Sequence, residues 1–583
     1  MCGRRSLICY EEVVVNPSSA WKVAEEAASV LAPEADLVES VDIADFGRSV
    51  MSSLGEAAAQ PAAIAAAVGK FGTSLALLPW VSSQLLMGRQ VTPPVDVDAK
   101  DRRFADPSWQ DNPAFFTIRQ SYLATRRLAD ELLAAGVSDP AAAAKAELAV
   151  GLLFDAIAPT NFLPTNPAAL KRAFETGGIS VAAGVRNFVD DLLHNGGRPR
   201  QVDRSPFTLG QNLAATPGKV VFRNELMELI QYSPQTEQVR AVPLLASPPW
   251  INKYYVMDLA PGRSFIEWAI KHQHTVFAIS YRNPDASMRD VRLDDYLIHG
   301  PRTALDVICD ITGSETVDIV GLCLGGALTA MLAAYLAGSG DNRIGSVTLL
   351  NTLLDYAEPG PLGVFTDEQT VTRLEKRMAR TGFLDAANMA TTFDLLRVND
   401  LVFSYVVSNW LMGQQPPAFD ILAWNADSTR MPAAMHSFYL RSLYLNNELA
   451  RGELELAGRE LRLSDVTGDA YIVGAINDHI VPWHASYRAT ELLGGDVRYV
   501  LSSGGHIAGI VNPPSSTAWY EVSDHNPPTG EQWRREATKQ AGSWWQDWAA
   551  WAAQRAGALR EPPPLGSERY PVLGAAPGDY VRG

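Results

Sequence analysis

The spacing of apolar residues changes twice along this chain. Over residues 1–95 they are scattered through alanine-rich runs, chiefly 57–68 and 71–86, a spacing that predicts amphipathic helices. Residues 1–95 therefore read as an alanine-rich helical extension whose order the pattern leaves open. From Asp101 a 3.6-residue periodicity sets in, running through Tyr122 to Leu153, and a further helical block ends at the polar stretch 196–203. We read 96–205 as a mainly helical N-terminal domain, with the boundary near residue 205. Beyond it, short apolar runs at 241–246, 275–281, 317–320, 346–350, 470–474 and 498–501 alternate with helix-like segments. Such alternation builds an α/β domain, 206–583, whose largely parallel sheet is covered on both faces. Between about 355 and 448 the alternation gives way to a helical insertion containing Phe393, Phe403, Tyr405, Trp410, Trp424 and Tyr439, placed where a cap over the sheet is expected. Near the end, Trp544, Trp548 and Trp551 share one helical face, a spacing that predicts core packing, and beyond Glu561 the Pro/Gly-rich tail is expected to be irregular.

Candidate chemistry lies in the run Gly321-Leu-Cys-Leu-Gly325, between a strand-like segment and an alanine- and leucine-rich helix. A strand-to-helix turn sharp enough to lift a side chain above a sheet needs small residues two before and two after it. Gly321 and Gly325 supply them around Cys323, so the run reads as a nucleophile elbow and the domain as an α/β-hydrolase fold. At a helix N-terminus, free amides favour negative charge on the sulfur, and the amide of Leu324 can stabilise an oxyanion. In this fold the acid follows a late strand and the histidine follows the last one. Asp478 lies just past the run 470–474 in a turn closed by Pro482, and His506 follows the run 498–501 and a Gly-Gly pair. His506 would take the thiol proton while Asp478 holds the imidazole in the useful tautomer. His479 adjoins the acid and is read as supporting it, since it cannot readily face acid and nucleophile together. The second oxyanion amide is expected in the loop 247–255, where Pro248 and Pro249 have no N–H to offer; Ile251 or a neighbour is the candidate. His272, His274, His436 and His525 have no evident partners in sequence.

Composition narrows the function further. The 583 residues carry a net charge of −16, which argues against general nucleic-acid binding because phosphate contacts need a basic surface. Cys2, Cys9, Cys309 and Cys323 show neither metal-ligand spacing nor a disulfide framework, so no metal site is expected and a reducing cytoplasm is. The apolar run at the start is cut by Glu11 and Glu12 before a signal-peptide core can form. The most apolar stretch, 75–81, is far short of the roughly 20 residues a bilayer crossing needs, so no membrane span is expected.

The chain resembles the polyhydroxyalkanoate synthases, in particular the long single-subunit kind, over about residues 100–583. The resemblance rests on 248–255 (PPWINKYY), 274–277 (HTVF), 281–285 (YRNPD), 321–326 (GLCLGG), 424–427 (WNAD), 478–483 (DHIVPW), 505–509 (GHIAG) and 542–545 (GSWW). It implies polymerisation of (R)-3-hydroxyacyl-CoA into a polyester with release of CoA, through acyl-cysteine intermediates at Cys323 with Asp478 and His506. It also implies a thioester substrate with no cofactor, a homodimer, and a cytoplasmic location on polyester granules with their associated proteins. A thioesterase or polyester depolymerase of the same fold is the rival expectation, and a non-catalytic granule-binding protein is a second.

Overall fold

The computed structural model describes residues 43–98, 101–136 and 139–583. The expectations for residues 1–42, including the charged start, Cys2 and Cys9, lie outside the described residues. The chain divides into two units: one holds the described residues up to Gln201 together with Arg397–Pro416, the other Val202–Leu396 and Pro417–Gly583.

The first unit contains helices α1 (Ile43–Ala57), α2 (Pro61–Leu86), α3 (Pro113–Ala134), α4 (Pro140–Ala156), α5 (Pro167–Glu175) and α6 (Ile179–His194). Proline opens four of them, where its missing N–H leaves no hydrogen bond unmade. Side chains of Asn112, Asp139 and Asn166 cap the first turns of α3, α4 and α5.

Residues 43–95 are not a separate extension. Leu78 and Val81 of α2 form a small core with Phe116 of α3, and Asp45 of α1 pairs with Lys145 of α4 at 2.6 Å. Helix α2 is also longer than the seven-residue run 75–81 suggests. Its 26 residues are long and apolar enough to cross a bilayer by length and composition, because the alanines within 62–67 before that run and Leu85 and Leu86 after it extend the apolar stretch.

A second correction concerns the insertion. Its segment Arg397–Pro416 belongs to the helical unit, not to the α/β unit. There Trp410 Nε1 donates to Asp191 at 2.9 Å, Asn409 donates to the carbonyl of Arg200 at 2.7 Å, and the Trp410 ring meets Phe188 edge-on at 5.0 Å. The division itself falls at Gln201/Val202.

The second unit is built on eleven strands: β1 (Gly218–Arg223), β2 (Met227–Tyr232), β3 (Leu244–Ser247), β4 (Val276–Tyr281), β5 (Val317–Leu322), β6 (Ile344–Leu350), β7 (Asp469–Ala475), β8 (Val497–Ser502), β9 (Trp519–Val522), β10 (Thr538–Ala541) and β11 (Gly574–Ala575). Their order in the sheet is β10-β9-β8-β7-β6-β5-β3-β4-β2-β1-β11. The six central strands, β4 to β8 in that order, pair in parallel, and each matches one of the six apolar runs read from sequence. Alternate residues feed two separate cores: Val317 and Ile319 pack on one face, Val320 and Leu322 on the other. The fold is the expected α/β-hydrolase type.

Antiparallel strands at both ends of the sheet went unread. In β2 the buried Glu228 and Gln231 interrupt the apolar run, while β10 (TKQA) is exposed throughout. The tail is less irregular than expected, since β11 pairs with β1 through Lys219 and Ala575.

Helix α7 (Phe265–Lys271), α8 (Thr303–Thr312), α9 (Leu324–Ala337) and α10 (Trp544–Ala553) flank the sheet. The tryptophans of α10 are core, as their spacing predicts, and Trp545 is buried with the other three. Trp548 sits 4.7 Å from the Phe265 ring and donates to Thr348 of β6 at 3.0 Å, tying α10 to the centre of the sheet. Trp548→Ala should lower the unfolding free energy by about 3–5 kcal/mol through the cavity it leaves. Denaturant titration measures this, and a loss below about 1 kcal/mol would mean Trp548 is not core.

Candidate active site

Strand β5 ends at Leu322 and α9 begins at Leu324, so Cys323 alone makes the turn. It does so at φ 51° and ψ −116°, a left-handed conformation that costs a non-glycine residue about 1–3 kcal/mol. The glycines beside it are there for space. A Cβ at Gly321 would lie 2.5 Å from the Cα of Gly326 and 2.6 Å from Thr329 Oγ1, and one at Gly325 would collide with the carbonyls of Ser247 and Pro248. The first turn of α9 thus rests directly on the end of β3. The Cys323 amide donates to Leu350 at the end of β6 at 2.8 Å, which fixes the elbow to the neighbouring strand.

Asp478 and His506 arrive on the turns after β7 and β8. These turns are cross-linked: the amide of Ile476 donates to Ser502 at 3.0 Å and that of Asn477 to Gly504 at 2.9 Å. The imidazole Nδ1 of His506 lies 2.7 Å from Asp478 Oδ2, and the side chains are 6% and 0% exposed, so solvent screens the pair little. Oδ1 of Asp478 accepts the amides of Ile480 at 2.8 Å and Val481 at 2.9 Å, which aims the other oxygen at the imidazole. Burial opposes a charged imidazole, but the Asp478 carboxylate and the Cys323 sulfur, which both attract and hydrogen-bond it, outweigh that and raise the His506 pKa well above the ordinary histidine value. With Nδ1 given to Asp478, Nε2 is the nitrogen left for the sulfur. The structure therefore pairs His506 with Asp478 and sets Cys323 close enough for its sulfur to act on the imidazole.

His479 lies half-buried in the same turn, beside Asp478 in sequence, while the Asp478 carboxylate is engaged by His506, Ile480 and Val481. In the loop after β3 the amide of Asn252 is taken by Thr429 Oγ1 at 2.8 Å. The amides of Ile251 and Leu324 have no hydrogen-bond acceptor among the described residues, as a pair of oxyanion donors requires. Trp424 Nε1 donates to the carbonyl of Lys253 at 2.7 Å and braces this loop. Two of the other histidines are core groups: burial pushes His274 and His436 down to about 4. Among the described residues no group of three or more His, Cys, Asp or Glu side chains could hold a metal ion.

The aromatic cover differs from the one expected. Phe403, Tyr405 and Trp410 belong to the helical unit. Instead, Tyr356, Tyr439 and Tyr444 gather near the sulfur: their ring centroids are 4.9 Å (356 to 444), 5.5 Å (439 to 444) and 6.4 Å (356 to 439) apart. Burial raises all three phenols, Tyr444 to about 12, and negative charge on Cys323 adds to the shift. Tyr444 escaped the sequence reading for a geometric reason. Residues five apart fall on different faces of an α-helix, but Tyr439–Leu445 is a π-helix, whose wider turn aligns Tyr439 with Tyr444.

A sheet of this topology with a cysteine elbow, a buried Asp–His pair and two spare amides defines an enzyme of the α/β-hydrolase fold. Residues 250–513 match the family described as alpha/beta hydrolase fold, and residues 100–269 match Poly-beta-hydroxybutyrate polymerase (PhaC) N-terminus. A poly(3-hydroxyalkanoate) polymerase of Methylorubrum extorquens is 43% identical over 95% of this chain and 92% of its own length. Poly(3-hydroxyalkanoate) polymerase 1 of Ectopseudomonas oleovorans is 39% identical over 92% and 94%, and the polymerase subunit PhaC of Cupriavidus necator is 43% identical over 83% of each chain. The chain belongs to the poly(3-hydroxyalkanoate) polymerase family. A match over 95% of the chain reaches well into the first 95 residues, which the sequence resemblance left outside the family.

Because negative charge on Cys323 helps to raise the His506 pKa, Cys323→Ala should lower it, leaving only Asp478 to hold the imidazolium. The charge-pair stabilisation is complete below the ordinary value of about 6.5 and fades as pH rises through the folded-state value. NMR titration of the His506 ring in both proteins reads the shift, and identical titration curves would separate the sulfur from the imidazole.

Proposed function

We propose that this chain polymerises (R)-3-hydroxyacyl groups from their CoA thioesters, with Cys323 as the nucleophile, His506 as the proton carrier and Asp478 as its orienting carboxylate. The single observation that supports this reading is the buried His506–Asp478 pair within electrostatic reach of the elbow residue Cys323, in a member of the poly(3-hydroxyalkanoate) polymerase family.

Cysteine suits the task better than serine. Attack of the Cys323 thiolate on the acyl-CoA carbonyl forms one thioester and breaks another at little cost, so the acyl group stays activated. The carbonyl oxygen gathers negative charge between the Leu324 and Ile251 amides, and the departing CoA thiolate takes the proton held on His506 Nε2. In the second step His506, now neutral, removes the proton from the 3-hydroxyl of another acyl unit. The resulting alkoxide attacks the enzyme thioester, the new oxygen ester forms, and the cysteine thiolate is released. Exchange of a thioester for an oxygen ester drives growth downhill.

Water would end the chain as a free acid, so the hydroxyl must reach the thioester ahead of it. The buried Tyr356 and Tyr439 and the partly buried Tyr444 supply a mostly apolar wall near the sulfur that favours an acyl chain over bulk solvent. Family membership supports a cytoplasmic enzyme acting as a homodimer on polyester granules, with no cofactor beyond the CoA of its substrate.

Incubation with (R)-3-hydroxybutyryl-CoA should release CoA together with insoluble polymer. CoA release accompanied only by free hydroxy acid would instead establish a thioesterase. Cys323→Ala should abolish CoA release, and turnover that survives it would remove the sulfur from the mechanism. Asp478→Asn should slow chain growth more than the first acyl transfer, because the hydroxyl is a poorer acid than a thiol. Single-turnover CoA release compared with polymer yield separates the two steps, and equal losses would show that Asp478 serves both steps alike.

A further inference from the structure

Asn351 is the first residue past β6, and it is fully buried at φ 42°, a conformation that asparagine tolerates better than most side chains. Three connections converge on this point. The preceding carbonyl, of Leu350, accepts the Cys323 amide at 2.8 Å. The Asn351 amide donates to Val473 of β7, the strand that leads to Asp478, at 2.8 Å. Its side-chain Nδ2 donates to the main-chain carbonyl of His506 at 2.5 Å. The amide orientation is forced, since the opposite flip would set two oxygens against each other.

The other end of the side chain argues against a purely stabilising role. Asn351 Oδ1 is buried with no donor among the described residues, a deficit that costs stability. A residue kept only for packing would not bring both an unmet acceptor and a left-handed backbone.

We propose that Asn351 is a positioning residue: it fixes the His506 backbone to the strand end that also carries the Cys323 elbow, and so sets the distance from imidazole to sulfur. This rests on the catalytic reading of Cys323 and His506 given above. Removing the link lets the His506 turn drift relative to the sulfur while substrate contacts stay intact, so the loss falls on turnover and not on substrate affinity.

Two variants isolate the effect. Asn351→Gly accepts the same backbone angles and deletes only the side chain, and Asn351→Asp keeps the shape but replaces the donor by a carboxylate. With (R)-3-hydroxybutyryl-CoA, Asn351→Gly should lose about 10- to 100-fold in kcat with KM changed by less than about 3-fold, as expected for misplaced reacting groups. Asn351→Asp should be as slow at neutral pH but recover relative to Asn351→Gly as pH falls, because a protonated carboxyl can donate to the His506 carbonyl again. Near-UV circular dichroism confirms folding, and if Asn351→Gly does not fold, the acid recovery of Asn351→Asp decides alone. A folded Asn351→Gly within about 2-fold of the parent kcat overturns the proposal, since a link that sets reacting geometry is worth more. So does an Asp variant whose pH profile parallels the parent. Cys323→Ala run alongside keeps the two readings apart: turnover surviving there overturns the catalytic reading and this one with it, whereas turnover lost there but normal in both Asn351 variants overturns this one only.

Discussion

Where α9 leaves the sheet, backbone lies on backbone. Gly325 is pressed against the carbonyls of Ser247 and Pro248 with no room for even a methyl group, and Gly321 closes on Gly326 in the same way. That approach sets the tight angle of the elbow, and the angle decides where the Cys323 sulfur points. It also ties the loop after β3, which carries the Ile251 amide, to the first turn of α9, which carries the Leu324 amide. Polar donors held in place beforehand stabilise developing charge without reorganising during the reaction.

The partners of the sulfur are held by a different means. Asp478 is a carboxylate with no solvent exposure, satisfied by two amides and one imidazole, and a charge so placed is stable only while every partner stays. The neighbouring turn is braced from outside: Trp544 Nε1 donates to the carbonyl of Gly509 at 2.9 Å and Trp545 Nε1 to that of Ile510 at 2.8 Å. The tryptophans of α10 are thus core in the ordinary sense and also the outer support of the His506 turn. A late helix, far from the elbow in sequence, stiffens the arrival of the imidazole.

Much of this was legible in the sequence because its signals are local. An apolar run with glycines two before and two after a cysteine can be read from five residues, and Asp478 and His506 each stand just past a short apolar run, 470–473 and 499–501. The six parallel strands were readable for the same reason. What escaped reading depends on contacts between distant segments or on unusual helical geometry. Strand β2 hides because Glu228 is buried yet satisfied by Arg223 and by the amides of Asp579 and Tyr580, some 350 residues away. Tyr444 hides because its partnership with Tyr439 needs a π-helical turn. The destination of Arg397–Pro416 hides because Trp410 and Asn409 take their partners from residues about 200 positions earlier.

That last segment has a consequence for how the chain is made. Synthesis runs from the N-terminus, and a leading domain ordinarily folds as soon as its own residues have been delivered. Here the helical unit lacks Trp410, the partner of Asp191 and Phe188, until nearly two hundred further residues, β1 to β6 among them, have left the ribosome. Its completion is therefore deferred, and the two units must ripen together in the nascent chain. For the same reason a hybrid joined at Gln201 inherits only part of the helical unit from its first parent and twenty residues of it from the second.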